Sequence, residues 1–369
     1  MKSEIVCRRL NELDSFLGAE IKEGDYLFVS KERRKALQQN PYLEDGNAIC
    51  EWVGLADGKP AGFNYSFPIR IWADGVSYGS TTGSCLNVQE WARKTDLGLI
   101  LPAKGVEQTS KDGIAVAASC SQMAVPLHKV NGYRFFFSPR FIALWHSRSV
   151  VETILPSWLA RPFAFLVDCA ISVYALAVRM AVGFALRAYR VEEVGPDDAS
   201  ADEMARIVGL DQRRFREDHD AAWFKWHMTC SFSECGPCRG YLLRSKKDGL
   251  AVAFAMDKRR FYEKASHRGY RNVWLSSMVE WGADPRHMRL VKWLVACLAL
   301  RSRRSCDAFE FATDDPALCK FARRILWRRV GDANVGVKVM KNFPLRGDKA
   351  ITEQSNWRIR PGMGDNGLS

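Results

Sequence analysis

The sequence lacks the cysteine spacing of a disulfide-stabilised secreted domain. Its 11 cysteines are an odd number and are scattered along 369 residues without framework spacing. The opening residues, MKSEIVCRRLNELD, contain no apolar run of the kind that forms a secretion signal. Both absences favour a reducing compartment in which the thiols stay free. We therefore expect a cytoplasmic protein.

A complete set of metal ligands is also missing. The one local cysteine cluster, CSFSECGPC, contains Cys230, Cys235 and Cys238. A closed structural zinc site takes four ligands, and no second cysteine pair or histidine pair lies at the spacing of a zinc finger. The sequence therefore favours a Gly-Pro turn with free thiols over a metal site.

Basic residues are in excess, but they are not gathered into one tail. Lys and Arg number 54 against 42 Asp and Glu, which gives a formal net charge of +12. This balance favours an anionic partner such as a nucleotide cofactor, nucleic acid or a membrane face. At 369 residues the chain is too long for one ordinary core, which favours about two domains.

Strand and turn signals in the first half predict a mixed α/β fold. Strand-like runs near 48–56, 61–72 and 76–88 are separated by ADGKP and ADG, which predicts an antiparallel meander. A helix, the buried strand GIAVAASCS, a second helix ending at Gly132 and the strand RFFFSPRFIALWHS follow. The order β-β-β-α-β-α-β favours a layered α+β domain over residues 1–150 rather than a doubly wound sheet.

The second half repeats this order of elements. After the polar linker EEVGPDDASAD, the stretch MARIVGLDQRRFREDHDAAWFKWHM is typical of a helix, and GYLLRSKKDGLAVAFAMD is typical of a hairpin. A strand, an amphipathic helix, a strand, a helix and a last strand follow. The repeated order predicts a second domain over residues 191–345, with a tail over 346–369.

An apolar connector, residues 151–190, separates the two predicted domains. Between 163 and 178 only Asp168 and Ser172 are not apolar. A membrane span needs about 20 mostly apolar residues, and a central Asp opposes insertion. The sequence favours helices packed between the two domains. Two alternatives stay open, a helix that lies on a membrane surface and a helix that spans the membrane. The first would place residues 155–190 at the inner face of the membrane.

Two motifs resemble those of the GNAT superfamily of N-acyltransferases. The stretch NVQEWARKTDLG follows a predicted strand and is similar to the family's Arg/Gln-x-x-Gly-x-Gly/Ala turn, with Arg93 and Gly98 matching. The stretch SQMAVPLHKVNGY is similar to Asn-x-x-Ala-x-x-Leu-Tyr-x-x-x-Gly-Phe, with Ala124, Leu127 and Gly132 in step. The resemblance implies two GNAT-like domains, each a mixed, mainly antiparallel sheet flanked by helices, the second without a phosphate turn.

The resemblance also implies where acetyl-CoA, or another acyl-CoA, would bind. In the family, amides of the turn and of the following helix hold the coenzyme A pyrophosphate, because unpaired N–H groups and the positive helix end favour an anion. The corresponding residues here are Asn87, Val88, Arg93, Lys94, Thr95, Asp96, Leu97, Gly98 and Ser121. Asp96 stands where the family has a glycine, and Pro102 falls early in the helix. Both favour, as an alternative, a non-catalytic binding or scaffold protein.

Catalytic candidates follow from the same resemblance. His128 stands where many members have a tyrosine that protonates the leaving thiolate, and an imidazolium is a competent acid near pH 7. A helix-surface histidine without a role is the alternative. Candidate bases are Glu90, just past the strand, and a water reached through Glu51 or Asp96.

Further segments indicate a substrate class. DAAWFKWHM and the closing NWRIRPGMGDNGLS resemble segments of tandem acyltransferase-like proteins from bacterial surface-polysaccharide clusters. This implies direct N-acyl transfer to an amine of a sugar or nucleotide sugar, with Trp223, Trp226 and Trp357 as candidate stacking faces. A more distant resemblance to Fem-type aminoacyltransferases implies aminoacyl-tRNA as an alternative donor. Only that alternative involves nucleic acid.

Overall fold

The structure, a computed structural model, describes residues 2–44, 48–109, 111–152, 154–263, 272–325 and 327–363. Two compact units divide the chain. Unit 1 consists of Met1–Phe137, Gln212–Glu234 and Asn334–Ser369, and unit 2 consists of Ser138–Asp211 and Cys235–Ala333. The domain boundaries expected from the sequence differ from those of the two units. They placed 212–234 in the second domain and treated 346–369 as a separate tail, whereas both segments belong to unit 1. The last six residues of that tail lie outside the described residues.

The first half of the chain contains eight strands and four α-helices among its described residues: β1 (Ser3–Arg9), β2 (Ser15–Phe16), β3 (Ala19–Glu20), α1 (Lys31–Gln38), β4 (Ile49–Ala56), β5 (Lys59–Ala73), β6 (Val76–Val88), α2 (Leu97–Glu107), β7 (Ile114–Ala118), α3 (Ala124–Val130), β8 (Arg134–Leu144) and α4 (Arg148–Val151).

The remaining strands and α-helices in the part that the structure describes are α5 (Ser157–Ala185), β9 (Tyr189–Val194), α6 (Asp198–Gly209), β10 (Phe215–Glu217), α7 (Ala221–Thr229), β11 (Arg239–Ser245), β12 (Ala251–Tyr262), β13 (Val273–Ala283), α8 (Met288–Ser302), β14 (Ala308–Ala312), α9 (Pro316–Arg324), β15 (Arg328–Val339) and β16 (Trp357–Arg358).

Unit 1 is built on a mainly antiparallel sheet. β1, β4, β5 and β6 pair antiparallel in that order, β6 pairs parallel with β7, and β7 pairs antiparallel with the end of β15. The meander β4–β5–β6 confirms the sequence prediction. Its two tight turns, Asp57–Gly58 and Asp74–Gly75, have positive φ at both residues, as two-residue hairpin turns require.

The stretch predicted as one long helix is instead α6, β10 and α7, so that prediction is wrong. β10 pairs antiparallel with β5, where Phe215 is opposite Ala73, and parallel with β16, where Phe215 is opposite Trp357. These partners are distant in sequence, and their pairing overrides the local helical pattern. α7 packs in the same unit, because Trp226 Nε1 donates to Ala36 O at 2.8 Å.

Unit 2 also has a mainly antiparallel sheet flanked by helices. β9, β11, β12 and β13 pair antiparallel in that order, β13 pairs parallel with β14, and β14 pairs antiparallel with β8. The hairpin β11–β12 confirms the sequence prediction. The apolar connector is one 29-residue helix, α5, rather than several helices. Most of its apolar side chains are exposed, which contradicts the packed arrangement that the sequence favoured.

Candidate active site

The parallel strands β6 and β7 of unit 1 are paired over only two residues each. Their bridges join Thr82 with Val116 and Gly83 with Ala117. β6 then runs on to Val88 along β5. β7 ends at Ala118, where it is bonded to β15 on its other side. Among the described residues no further bridge joins the two strands, so their pairing ends at Gly83 while β6 continues.

The backbone has unusual φ angles close to where the pairing of β6 and β7 ends. The β5–β6 register shifts between Phe63 and Tyr65, opposite a stretch of β6 in which Cys85 has φ +52°. At the end of β7, Ser119 has φ +52° and its amide donates to Asn334 O at 2.9 Å. A non-glycine residue with positive φ is uncommon and marks a strained or functional position. One such residue lies on β6 just after the pairing ends, and the other directly follows β7.

The turn after β6 leads into the N-terminus of α2, as the motif predicted. Asp96 is the N-cap residue, and its carboxylate makes no capping hydrogen bond. The amides of Asp96 and Gly98 donate to no residue that the structure describes, and the Leu97 amide has only a long 3.4 Å contact with Thr95 Oγ1. Unpaired amides at the positive end of a helix favour a bound anion.

The other expected cofactor-binding residues differ in their exposure and in their position relative to this turn. Arg93 and Lys94 are exposed beside it. Leu97 is fully buried, so only its backbone is available to a ligand. Asn87, on β6, accepts a hydrogen bond from Tyr26 Oη at 3.0 Å. Val88, the last residue of β6, pairs with Gly62, a strand position rather than a turn position.

Helix α3 adjoins α2. Ser121 is exposed, and its hydroxyl accepts from the Ala124 amide at 3.2 Å at the start of α3. At the other end, Asn131 Nδ2 donates to Leu99 O in α2 at 3.0 Å. The two helices predicted by the motifs therefore lie together in unit 1.

His128 lies on the buried side of α3 rather than on its surface. Its ring contacts Tyr133 edge-on, with centroids 4.9 Å apart, and Phe135 at 6.3 Å. Burial lowers the pKa of His128 to about 4, because the charged imidazolium loses its hydration. The ring is therefore neutral at pH 7, which contradicts the imidazolium acid expected from the sequence.

Three carboxylates were expected to serve as bases, Glu90 directly and Glu51 or Asp96 through a water, and the surroundings of Glu90 and Glu51 differ. Glu90 is exposed in a short 3₁₀ turn, Glu90–Ala92, after β6. Glu51 is fully buried on β4, and burial raises its pKa to about 7, an effect that Arg8, Tyr65 and Arg33 partly offset. A carboxylate that titrates near neutral pH suits a general base.

Glu51 belongs to a polar row that crosses the sheet. Cross-strand pairing places Arg8 opposite Glu51, Glu51 opposite Tyr65, and Tyr65 opposite Ser84. Arg8 Nη1 lies 3.1 Å from Glu51 Oε2, but neither carboxylate oxygen has a well-aligned hydrogen bond among the described residues. No local sequence pattern points to Arg8 or Tyr65, because only strand register brings them beside Glu51.

Side-chain contacts connect this row to Cys85, which lies on β6 just after its pairing with β7 ends. The Arg33 guanidinium lies over the Tyr65 ring, 4.6 Å from its centroid. Arg33 Nη2 also donates to Cys85 Sγ at 3.2 Å, and Cys85 is exposed. The buried carboxylate is thereby linked, through Tyr65 and Arg33, to the exposed bulge on β6.

The remaining sequence candidates lie in the protein interior. Trp223, Trp226 and Trp357 are buried, so none offers a stacking face to a sugar. Cys230 and Cys238 are also buried, and burial raises the pKa of Cys238 to about 11. In the part of the chain that the structure describes, no three His, Cys, Asp or Glu residues are grouped to hold a metal ion.

No protein-family model and no curated protein matches the sequence. The chain is similar in structure to Saccharomyces cerevisiae N-myristoyltransferase with bound myristoyl-CoA, with a TM-score of 0.57 and 11% identity over 93% of this chain and 79% of that one. It is also similar to a GCN5-related N-acetyltransferase from Anabaena variabilis, with a TM-score of 0.54 and 10% identity over 92% and 73% of the two chains. The chain therefore has the GNAT fold that the motifs predicted.

Proposed function

We propose that the chain is an acyl-CoA-dependent N-acyltransferase that binds its donor in unit 1, where β6 and β7 diverge. The observation that carries this proposal is the loss of pairing after Gly83 beside the unpaired amides of Asp96 and Gly98 at the start of α2. The GNAT fold supports it, because structures with this fold include one with bound myristoyl-CoA. Acyl-CoA would supply an acyl group activated as a thioester.

The turn fits a diphosphate in most respects. The free amides of Asp96 and Gly98 would donate to phosphate oxygens, and Arg93 and Lys94 are exposed beside them. The Asp96 carboxylate opposes this binding through like charge. Two cations and a helix N-terminus against one exposed anion leave the balance in favour of binding.

Transfer to an amine requires two proton movements. A bond forms between the acceptor nitrogen and the acyl carbon while the carbon–sulfur bond breaks, so the amine loses a proton and the sulfur gains one. We assign the amine proton to Glu51, received through the Tyr65 hydroxyl and solvent, since its pKa of about 7 matches the task. Neutral, buried His128 is a poor acid, so the proton on sulfur would come from solvent.

The acceptor that we propose is an amine of a sugar or nucleotide sugar in surface-polysaccharide assembly. Its support is the resemblance of DAAWFKWHM and NWRIRPGMGDNGLS to segments of tandem proteins from such clusters. Acetyl-CoA is the proposed donor for the same reason. We also propose a cytoplasmic location, with residues 155–190 in peripheral contact with the inner face of the membrane.

Isothermal titration with acetyl-CoA and myristoyl-CoA tests donor binding. We expect one of them to bind, and Gly98→Trp to abolish binding, because an indole there would fill the space beside the unpaired amides. Gly79→Trp is the matched control, since Gly79 is exposed and a Cβ there would meet nothing within 4 Å. Failure of the unmodified protein to bind any acyl-CoA contradicts the proposal. Salt-dependent tRNA binding in its place would favour the aminoacyl-tRNA alternative.

A second candidate function, a non-catalytic binding protein, is favoured by one observation, the uncapped Asp96 carboxylate at the helix start. The same titration separates the two. An exposed charge at a helix N-terminus is worth about 0.3–1 kcal/mol, so Asp96→Asn should tighten acyl-CoA binding by about two- to fivefold. Glu107→Gln, at the other end of α2, is the matched control. Binding that appears only in Asp96→Asn would identify a site inactivated by that residue.

A further inference from the structure

Helix α5 is packed against the rest of unit 2 along one side only. Its packed side is rich in small residues and consists of Ala160, Ala164, Ala175, Val178 and Val182, which are buried. Polar contacts fix the same side. The Ser147 amide donates to Asp168 Oδ1 at 2.8 Å, Tyr174 Oη donates to Ile325 O at 2.7 Å, and Arg303 Nη2 donates to Ser172 Oγ at 2.6 Å.

The opposite side of α5 is apolar and exposed. Its large side chains, each 56–73% exposed, are Trp158, Phe165, Leu166, Val173, Leu176, Met180 and Phe184. In the described part of the chain, this helix is long and apolar enough to cross a membrane. Only 17% of its most apolar 18-residue stretch is buried. A core helix of a soluble protein would be mostly buried, and an apolar surface of this extent marks a contact with a partner or a membrane.

The exposed charges on α5 itself are of one sign. Arg161 and Arg179 are exposed on the helix, and their 18-residue separation is about five turns, so both stand on the same side. Arg187 and Arg190 are exposed just beyond its end, where Arg190 Nη2 lies 3.6 Å from Glu192 Oε2. The one acidic residue of α5, Asp168, is hydrogen-bonded on the packed side. Exposed arginines beside an apolar face complement anionic lipid headgroups over acyl chains.

A second copy of the chain suits this face less well. Pairing two α5 helices would bring their arginines together, and α5 has no exposed carboxylate to neutralise them. A spanning orientation is also disfavoured. The helix has 29 residues and is about 43 Å long, well beyond a hydrocarbon core of about 30 Å. Crossing would also require breaking the contacts of Asp168 and Tyr174.

We infer that α5 lies in the plane of an anionic membrane surface, with its exposed apolar face among the acyl chains and Arg161 and Arg179 at the headgroups. This inference rests on the peripheral membrane contact of the proposed function and specifies its lipid class and its orientation. It does not depend on acyl-CoA binding, which titration without lipid measures separately.

Vesicle flotation of the full-length protein tests the inference. We expect binding to vesicles of phosphatidylcholine and phosphatidylglycerol in equal parts, and at least tenfold less to pure phosphatidylcholine. The triple variant Phe165→Glu, Val173→Glu, Phe184→Glu should lose binding. The matched control Leu17→Glu, Val76→Glu, Leu250→Glu changes exposed apolar residues elsewhere and should bind as the parent does. Circular dichroism confirms that each variant is folded.

Three results would overturn the inference. One is the absence of a charge dependence. It would appear as equal binding to neutral and anionic vesicles, or as unchanged binding of the double variant Arg161→Gln, Arg179→Gln. Another is resistance of the bound protein to carbonate extraction at high pH, which would identify a spanning helix. The third is self-association that depends on Phe165, Val173 and Phe184 without vesicle binding, which would identify a second copy as the partner. If a glutamate variant fails to fold, the lipid preference and extraction of the unmodified protein still decide the outcome.

Discussion

At the scale of single residues, the site depends most on a carboxylate that is buried at some cost. Glu51 has its pKa raised from 4.5 to about 7, because burial removes the hydration of its charged form. The folded state therefore binds a proton more tightly than the unfolded state. The associated stability is complete below pH 4.5 and is lost as the pH rises through about 7, a change of roughly 3 kcal/mol.

Glu51→Gln should remove both consequences of the raised pKa, the pH dependence of activity and that of stability. In the unmodified protein, kcat/KM should rise with pH up to about 7 as the base loses its proton, while the free energy of unfolding falls over pH 4.5–7. Glutamine does not titrate, so the variant should lose both pH dependences and about 10²-fold or more in kcat/KM. Transferase assays and urea unfolding across pH 4.5–8 measure them.

Glu90→Gln is the matched control for this experiment. Glu90 is exposed, so the substitution should leave stability and the pH profile almost unchanged. If Glu90→Gln abolishes the acid limb of the profile and Glu51→Gln does not, Glu90 is the base and the assignment to Glu51 is wrong.

The contrast between these residues shows what a motif predicts about a site. Arg93 and Gly98 lie at the start of α2, because that position depends on neighbours in sequence, and their role in binding stays a prediction. The state of His128 was not predicted correctly, since its burial depends on contacts with Tyr133 and Phe135 that spacing alone does not indicate. The raised pKa of Glu51 likewise depends on strand register.

At the scale of elements, two strand glycines allow α2 to approach the sheet closely. A Cβ at Gly54 on β4 would lie 2.7 Å from Leu97 Cδ2, and one at Gly62 on β5 would lie 2.9 Å from Leu101 Cδ1 and 3.0 Å from Asn87 O. Leu97 and Leu101 are fully buried, so they cannot move aside freely. The position of the α2 N-terminus therefore depends on the absence of these side chains.

Gly62→Ala should displace α2 and weaken the site. Overpacking against Leu101 and Asn87 is expected to cost about 1–3 kcal/mol of stability, measured by urea unfolding. A shift of the α2 amides should weaken acyl-CoA binding by about tenfold, measured by titration. Gly79→Ala, on β6 with nothing within 4 Å, is the matched control and should change neither quantity. Unchanged stability in Gly62→Ala would show that α2 is not held against the sheet in this way.

Elements with strong local signals were predictable, and elements made by distant pairing were not. β4, β5 and β6 follow from alternation and from the Asp-Gly turns between them. β10 is three residues long and exists through its pairing with β5 and β16. Its sequence, between two amphipathic helical segments, has no local signal of a strand.

At the scale of the whole molecule, unit 1 is assembled from three separate segments of the chain. Val335–Val339 of β15 pair with β7, and β10 and α7 come from residues 212–234. Trp226 of α7 and Trp357 of β16 join the same hydrophobic core as Phe67 of β5. The repeated order of elements suggested continuous domains, but contacts between distant segments complete this unit.

The fragment 1–150 should therefore not fold by itself. It contains the proposed acyl-CoA site, but it lacks the β15 residues that pair with β7. It also lacks Asn334, whose carbonyl accepts from the Ser119 amide. It also lacks Trp226 and Trp357, leaving β5 with exposed apolar surface. We expect no cooperative unfolding transition by circular dichroism and no acyl-CoA binding by titration for the fragment, whereas the full chain should show both. A cooperative transition in the fragment would instead show that residues 1–150 form an autonomous domain, as their order of strands and helices first suggested.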